Sequence, residues 1–124
     1  MNPAGSYSTY VDFDREARVP PSFRLTYPTS IVLLAVSRGF RHGFDIIDAS
    51  GLKSGTVYPI LRRLEEAGML RARWEAAADA RDAQRPPRRY YQITGAGAQA
   101  LRDANEQFPG LARTLAPGAT PAAT

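Results

Sequence analysis

The stretch SGTVYPILRRLEEAGML, residues 54–70, combines a helical pattern with a proline in its second turn. On a wheel of about 100° per residue, four apolar residues form the stripe of a helix that packs on a core: Val57, Ile60, Leu61 and Leu64. The opposite face has little bulk near its start, where Gly55 and Pro59 lie, and carries charge further on, at Arg62, Arg63 and Glu66. The stretch therefore predicts a core helix whose outer face is sparsely covered at its beginning.

A bare helix start is suited to contact with a flat or grooved surface. The first N–H groups of a helix lack partners within it and carry partial positive charge, which favours phosphate. Ser54 and Thr56 add hydroxyl donors, Tyr58 adds a phenol, and Lys53 lies in the turn just before. Arg62 and Arg63 are placed to reach bases or phosphates, or to pair with Glu65 and Glu66 on the helix surface. A capped core helix without any ligand would show the same residues, so context must decide.

Two helices precede this stretch. A mostly apolar run from Thr29, which is a candidate N-cap, to Gly39 predicts a buried helix. A short helix is expected from Phe44 to Ala49, closed by Ser50 and Gly51, and the third helix is expected to stop at Gly68. A short helix joined by a glycine-containing turn to a longer one is typical of a helix-turn-helix.

Two alternating runs follow, MLRARWE at 69–75 and RRYYQIT at 88–94. Their period of two predicts half-buried strands that pair as a hairpin. For Trp74, at a strand end, we favour a place in the core over the alternative of a ligand platform. The segment AAADARDAQRPP between them, residues 76–87, is too polar for core and predicts a long basic loop. Four arginines surround its tip and are candidates to follow phosphates, although a solvated loop is the alternative: Arg81, Arg85, Arg88 and Arg89.

A last helix is predicted from Gly95, with Thr94 as its cap. Pro109 and Gly110 should break or kink it. Its apolar positions at helical spacing form either intramolecular core or, as we favour, the interface of a homodimer: Leu101, Ala104, Phe108 and Leu111. The resulting division is an N-terminal arm at 1–25, a winged helix-turn-helix domain at 26–94, a dimerisation helix at 95–116 and a tail at 117–124.

Composition narrows the function classes. The formal net charge is +4 and the pI is about 9.8, which permits nucleic-acid binding without establishing it. The chain has no cysteine and a single histidine, His42, so we expect no disulfide, no metal site and no cofactor. No apolar run approaches the length of a membrane span, no secretory signal begins the chain, and no catalytic constellation is found. We expect a cytoplasmic protein that is not an enzyme.

The segments around the third helix and the second strand resemble the PadR family of winged-helix transcriptional regulators. The similarity covers about residues 26–108 and is specific in the recognition-helix start Gly55-Thr56-Val57-Tyr58-Pro59 and the wing return Pro87-Arg88-Arg89-Tyr90-Tyr91. Further matches are Gly43-Phe44-Asp45, Leu61 to Leu70, Trp74-Glu75 and Thr94 to Gly97. Phe44 stands where the family usually has tyrosine.

The resemblance implies a mainly α fold with a small β-hairpin, a winged helix-turn-helix with a C-terminal dimerisation helix. It implies a homodimer that binds a palindromic operator in double-stranded DNA, usually as a repressor, and that a small-molecule inducer can release. The predicted DNA-binding residues are Lys53, Ser54, Gly55, Thr56, Tyr58, Pro59, Arg62, Arg63, Arg81, Arg85, Arg88 and Arg89. The alternative is a winged-helix module that binds another protein and does not read DNA.

Overall fold

The computed structural model describes residues 25–115, so the predictions for an arm at 1–25, apart from Leu25, and for a tail at 117–124 lie outside the described residues. Leu25 is buried in the core. The elements of the described part, in order, are α1 (Tyr27–Ser37), α2 (Gly43–Ser50), α3 (Ser54–Glu66), β1 (Leu70–Trp74), α4 (Ala77–Asp82), β2 (Arg89–Ile93), α5 (Gly95–Gln107) and a 3₁₀ turn (Leu111–Arg113). This order confirms the predicted fold class, three helices followed by an antiparallel hairpin and a further helix.

Helix α1 is the centre of the core and packs against α2, α3, α5 and β2. Its residues from Thr29 to Val36 are all buried, which matches its nearly continuous apolar sequence. The N-cap is Thr26, three residues before the predicted Thr29, and Thr26 Oγ1 accepts the Thr29 N–H at 3.3 Å. Pro28 fits inside the helix because an N–H in the first turn has no partner there.

The helix-turn-helix consists of α2 and α3. Gly51 ends α2 with a φ of +74°, a left-handed conformation in which glycine avoids the strain of a side chain. The predicted apolar stripe of α3 is confirmed, since Val57, Ile60, Leu61 and Leu64 are buried. After α3 the chain turns at Gly68, where the Met69 N–H donates to the Leu64 carbonyl at 2.9 Å.

The hairpin pairs β1 and β2 in antiparallel register, from Leu70 opposite Ile93 to Trp74 opposite Arg89. The Tyr91 N–H also donates to the Arg41 carbonyl at 2.7 Å, which ties the hairpin to the segment before α2. The prediction that Trp74 lies in the core is wrong, because the side chain is 62% exposed at the end of the hairpin away from Leu70.

The segment between the strands is not only a loop. Helix α4 forms within it because a run of alanines favours helix, and Ala80 is buried with 1% exposure. The hairpin connection is therefore a folded wing with its own small contact to the protein.

The final helix begins as predicted, with Thr94 Oγ1 accepting the Gly97 N–H at 3.1 Å. It is shorter than the predicted 95–116, since α5 ends at Gln107 and the chain continues through Pro109 and Gly110 into the 3₁₀ turn. Proline cannot donate the next helical hydrogen bond, which accounts for the break.

Candidate nucleic-acid interface

The start of α3 lies open to solvent. Lys53 is the N-cap but makes no side-chain capping bond, and Lys53, Ser54, Gly55 and Thr56 are all exposed. A Cβ built on Gly55 would meet nothing within 4 Å. The first N–H groups of the helix, at Ser54 and Gly55, lack a carbonyl four residues earlier within it. This end can therefore approach a surface closely and offer donors to an anion.

Pro59 lies inside α3, as its sixth residue. It is therefore beyond the first turn, where a missing N–H would cost no helical hydrogen bond. It has no N–H to donate to the carbonyl of Gly55, which remains on the exposed side of the first turn. Water or a ligand donor can reach this carbonyl. The proline thus costs one helical bond and leaves the outer face of the first turns free of long side chains.

Tyr58 is held by the first residue of α2. Its side chain is 49% exposed, and a Cβ added to Gly43 would lie 2.7 Å from the Tyr58 hydroxyl oxygen and closer still to its ring. Only glycine permits this approach of α2 to the aromatic ring. The Tyr58 ring thus lies against the start of α2, in the groove between α2, α3 and the hairpin.

Arg62 and Arg63 are exposed on the outer face of α3. Within residues 25–115 neither guanidinium pairs with a carboxylate, so the predicted alternative of pairing with Glu65 and Glu66 does not apply. Glu65 pairs instead with Arg89 of the hairpin, at 2.9 Å. Two positive charges on the outer face of α3, more than two turns beyond its start, thus remain available for an anionic partner.

The wing is organised by Glu75, a residue that sequence reasoning treated only as a motif position. Its carboxylate accepts both guanidinium nitrogens of Arg85, at 2.5 and 2.9 Å, and also the backbone N–H of Arg88 at 3.2 Å. The Tyr90 hydroxyl adds a longer bond, at 3.4 Å. The hydrogen bonds from Arg85 lower the pKa of Glu75 to about 2, so the carboxylate stays ionised at neutral pH.

The four predicted wing arginines therefore have different roles in the structure. Arg81 is exposed on α4, whereas Arg85 is engaged by Glu75 and Arg89 by Glu65. Arg88 is half-buried beside His42. The prediction that all four surround an open loop tip is wrong for Arg85 and Arg89, because each makes a carboxylate pair that holds the wing in shape.

His42 is a buried cap where the sequence indicated only a turn residue. It is 6% exposed, its Nδ1 accepts the Asp45 N–H at 3.5 Å, and its Nε2 lies 3.1 Å from Asp45 Oδ2. Burial lowers the pKa of His42, and the positive charges of Arg88, Arg85 and Arg41 add to this against the opposing carboxylate of Asp45. The imidazole also packs edge-on against the Tyr90 ring, with centroids 5.8 Å apart, and so joins the start of α2 to β2.

A family model described as the transcriptional regulator PadR-like family matches residues 32–103, more than half of the chain. This match spans the helix-turn-helix, the whole wing and most of α5. The chain belongs to the PadR family. It is thereby a member of a family of transcriptional regulators, and the resemblance found in the sequence is confirmed.

Solved structures agree with the PadR assignment. An X-ray structure of a PadR-like transcription factor from Bacteroides fragilis is 27% identical, with a TM-score of 0.56, and the match covers 69% of this chain and 84% of that one. A PadR family regulator from Eggerthella lenta DSM 2243 is 26% identical, with a TM-score of 0.53 and coverage of 70% and 79%. A PadR family regulator from Clostridium difficile R20291, 18% identical with a TM-score of 0.59 and coverage of 71% and 93%, shares the fold. No curated protein matches the chain.

The predicted dimer residues of this PadR protein lie largely inside the protomer. Ala104 and Leu111 are buried, with 2% and 0% exposure, and Leu101 and Phe108 pack half-buried against the core. The Phe108 ring also contacts the Tyr27 ring, with centroids 5.2 Å apart. Ala104 and Leu111 therefore serve the alternative predicted for this stripe, intramolecular core, because the break at Pro109 folds the chain back onto α1.

Two further features, a metal site and a membrane-spanning helix, are absent from residues 25–115. No group of histidine, cysteine or carboxylate side chains there is arranged to hold a metal ion. In the same part of the chain, every helix is too short or too polar to cross a bilayer.

Proposed function

We propose that this PadR protein is a sequence-specific DNA-binding regulator that acts as a homodimer on a palindromic operator. In this proposal the protein is cytoplasmic and represses transcription. In this mechanism α3 enters the major groove of each half-site while the wing, residues 76–88, contacts the neighbouring backbone. A small-molecule inducer, where one exists, would change the spacing of the two α3 helices and so lower the affinity.

The observation that carries the proposal is the open start of α3. Gly55 has no neighbour that a side chain would meet, Tyr58 is fixed beside it, and Arg62 and Arg63 have no carboxylate partner in residues 25–115. A helix start buried within the protomer could not contact a duplex at all. Arg81 on α4 is exposed as well and adds a further positive charge to the protein surface.

Dimerisation is supported by the geometry of operators and not by the buried apolar stripe of α5. A palindrome presents two half-sites related by a two-fold axis, which a symmetric pair of protomers matches. With Ala104 and Leu111 in the core, contacts between protomers must come from the outer residues of α5 or from the chain outside 25–115. Leu101, half-buried on α5, is a candidate for such contacts.

The test is selection of bound duplexes from a random pool, followed by two variants measured on the winning sequence. Tyr58→Phe should weaken binding to all sequences alike, because a phenol that contacts a phosphate carries no base information. Arg63→Ala should lower affinity by ~1–3 kcal/mol and relax selection at one base position, as expected when a base-edge contact is lost.

Binding of random duplex DNA should also weaken steeply with salt, because released counterions drive phosphate contacts. Indifference to DNA and to salt, or unchanged binding in both variants, would rule out this recognition surface. It would favour the alternative, a winged-helix module that binds another protein.

A further inference from the structure

Exposed aromatic side chains gather in one groove. Within residues 25–115 four large apolar side chains are exposed, and three of them line the same groove between α2, α3 and the hairpin: Phe44 at 69%, Tyr58 at 49% and Trp74 at 62%. The fourth, Tyr27, lies elsewhere, against Phe108. The groove has a volume of about 360 Å³, within the range of roughly 300–1,000 Å³ that is usual for ligand sites.

The charge of the groove favours an anion. Its lining includes the guanidinium groups of Arg88 and Arg89 and contains no carboxylate. Glu65 pairs with Arg89 from α3 and offsets part of that charge, whereas Arg88 makes no ion pair within residues 25–115. A fitting occupant is therefore both anionic and rich in flat apolar surface.

Trp74 is prepared as a stacking surface. The Arg89 guanidinium lies over its ring, 5.1 Å from the centroid, and Glu65 holds that guanidinium in turn at 2.9 Å. One face of the indole is thus covered by a fixed cation, and with 62% exposure the ring presents its other face to solvent. Phe44 offers a second ring across the same groove.

We propose that this groove binds single-stranded nucleic acid, stacking unpaired bases on Trp74 and Phe44 while Arg88 contacts the adjoining phosphate. Successive bases stacked on aromatic rings beside a basic groove are the usual means of holding single strands. A duplex presents only base edges, because its base faces are already stacked on one another. The groove shares Tyr58 and Arg88 with the proposed operator surface, whereas Arg62 and Arg63 do not line it, so the two kinds of binding can be separated by variants.

The first experiment uses the fluorescence of Trp74, the only tryptophan of the chain. The full-length protein is titrated with (dT)₁₅ and with an oligomer of the same length whose sugars lack bases. Stacking predicts quenching and saturable binding by (dT)₁₅, and much weaker binding by the abasic oligomer, which carries the same phosphates. Equal affinity for both oligomers, or binding of (dT)₁₅ without any change in fluorescence, would overturn the proposal.

The second experiment compares variants by the anisotropy of a labelled oligomer, with circular dichroism to confirm the fold. Trp74→Ala and Phe44→Ala should each weaken binding of (dT)₁₅ by about 5- to 150-fold, the effect of losing one stacked base, and should leave duplex affinity within about threefold. Tyr27→Ala, which removes an exposed aromatic outside the groove, should leave the affinity for (dT)₁₅ unchanged.

The reciprocal control is the double variant Arg62→Gln, Arg63→Gln, which should weaken duplex binding while (dT)₁₅ is retained. If Trp74→Ala and Phe44→Ala weaken duplex and single strand equally, the groove is part of the duplex surface and the proposal is wrong. Loss of (dT)₁₅ binding in the arginine variant would lead to the same conclusion. Failure of duplex binding alone would contradict the proposed regulator and leave the single-strand result standing.

Discussion

Glu75 and Arg85 form a two-pronged ion pair, with nitrogen–oxygen distances of 2.5 and 2.9 Å, that closes the wing at its base. Glu75 follows β1 directly, and Arg85 lies just before the two prolines that lead into β2. The pair thus joins the two ends of the segment that contains α4. A planar guanidinium that makes two parallel hydrogen bonds to a carboxylate fixes the relative orientation of the two residues as well as neutralising charge. A flexible loop of this length would otherwise have no such constraint.

Glu75→Gln should loosen the wing and should make the free energy of unfolding less dependent on pH in acid. The pKa of Glu75 is about 2 in the folded protein and 4.5 ordinarily, so the folded state favours the ionised carboxylate. Its contribution is fully present above pH 4.5 and is lost as the pH falls from 4.5 toward 2. Urea unfolding of both proteins between pH 7 and pH 3 should show a smaller decline for the variant. Parallel curves would show that the pair does not carry this dependence.

His42 should make the fold sensitive to mild acid. Its pKa in the folded protein is lowered from 6.5 by burial, so the unfolded chain takes up the proton more readily. The contribution of His42 to the free energy of unfolding is therefore fully present above pH 6.5. It is lost as the pH falls below 6.5 toward the lowered pKa of the folded protein. His42→Asn keeps a capping side chain and should flatten thermal stability between pH 7 and pH 5, whereas His42→Ala should also lose ~1 kcal/mol of capping. Equal slopes in wild type and His42→Asn would exclude His42 as the source.

Gly43→Ala should destabilise the protein through Tyr58. The added methyl group would overlap the phenol ring, and pushing this half-exposed ring off its rotamer costs ~0.5–1.5 kcal/mol. Removing the ring in Tyr58→Ala should make the glycine substitution nearly neutral, so the two changes should be non-additive in a double-mutant cycle. Additive effects in urea unfolding would show that the two residues do not meet.

Leu111→Ala should destabilise each protomer by ~2–5 kcal/mol, because the side chain is fully buried within one chain. The loss should be the same at all protein concentrations. Leu101→Glu, on the partly exposed side of α5, should instead change the sedimentation behaviour if this helix joins two protomers. A stability loss in Leu111→Ala that grows on dilution would place Leu111 at an interface between copies after all.

Local pattern was enough to predict the scaffold. The apolar spacing of α3, the alternation of the two strands and the cap at Thr94 each depend on neighbours in sequence, and each is confirmed. The N-cap of α1 was misplaced because Thr26 and Thr29 are both suitable caps, and only packing selects between them. Helix α4 was missed because a short alanine run inside polar sequence carries little signal on its own.

The candidate site was harder to predict, because its charges are decided by partners distant in sequence. Arg89 pairs with Glu65 across 24 residues, and no local rule separates it from Arg62, which remains without a carboxylate partner in the described chain. Trp74 was expected in the core because large aromatic residues usually are, yet its register places it at the open end of the hairpin. Leu111 was assigned to an interface because nothing in the sequence shows that the chain folds back after Pro109.

Thr94 joins three elements through one residue. Its hydroxyl donates to the Gly68 carbonyl at 2.6 Å and accepts the Gly97 N–H at 3.1 Å, and its own N–H donates to the Met69 carbonyl at 3.1 Å. These hydrogen bonds connect the turn that leaves α3 to the first turn of α5. The backbone of Gly97 also lies in close contact with the Met69 carbonyl. A tilt of α5 would therefore strain these three bonds first, at the end of α3 opposite its open start.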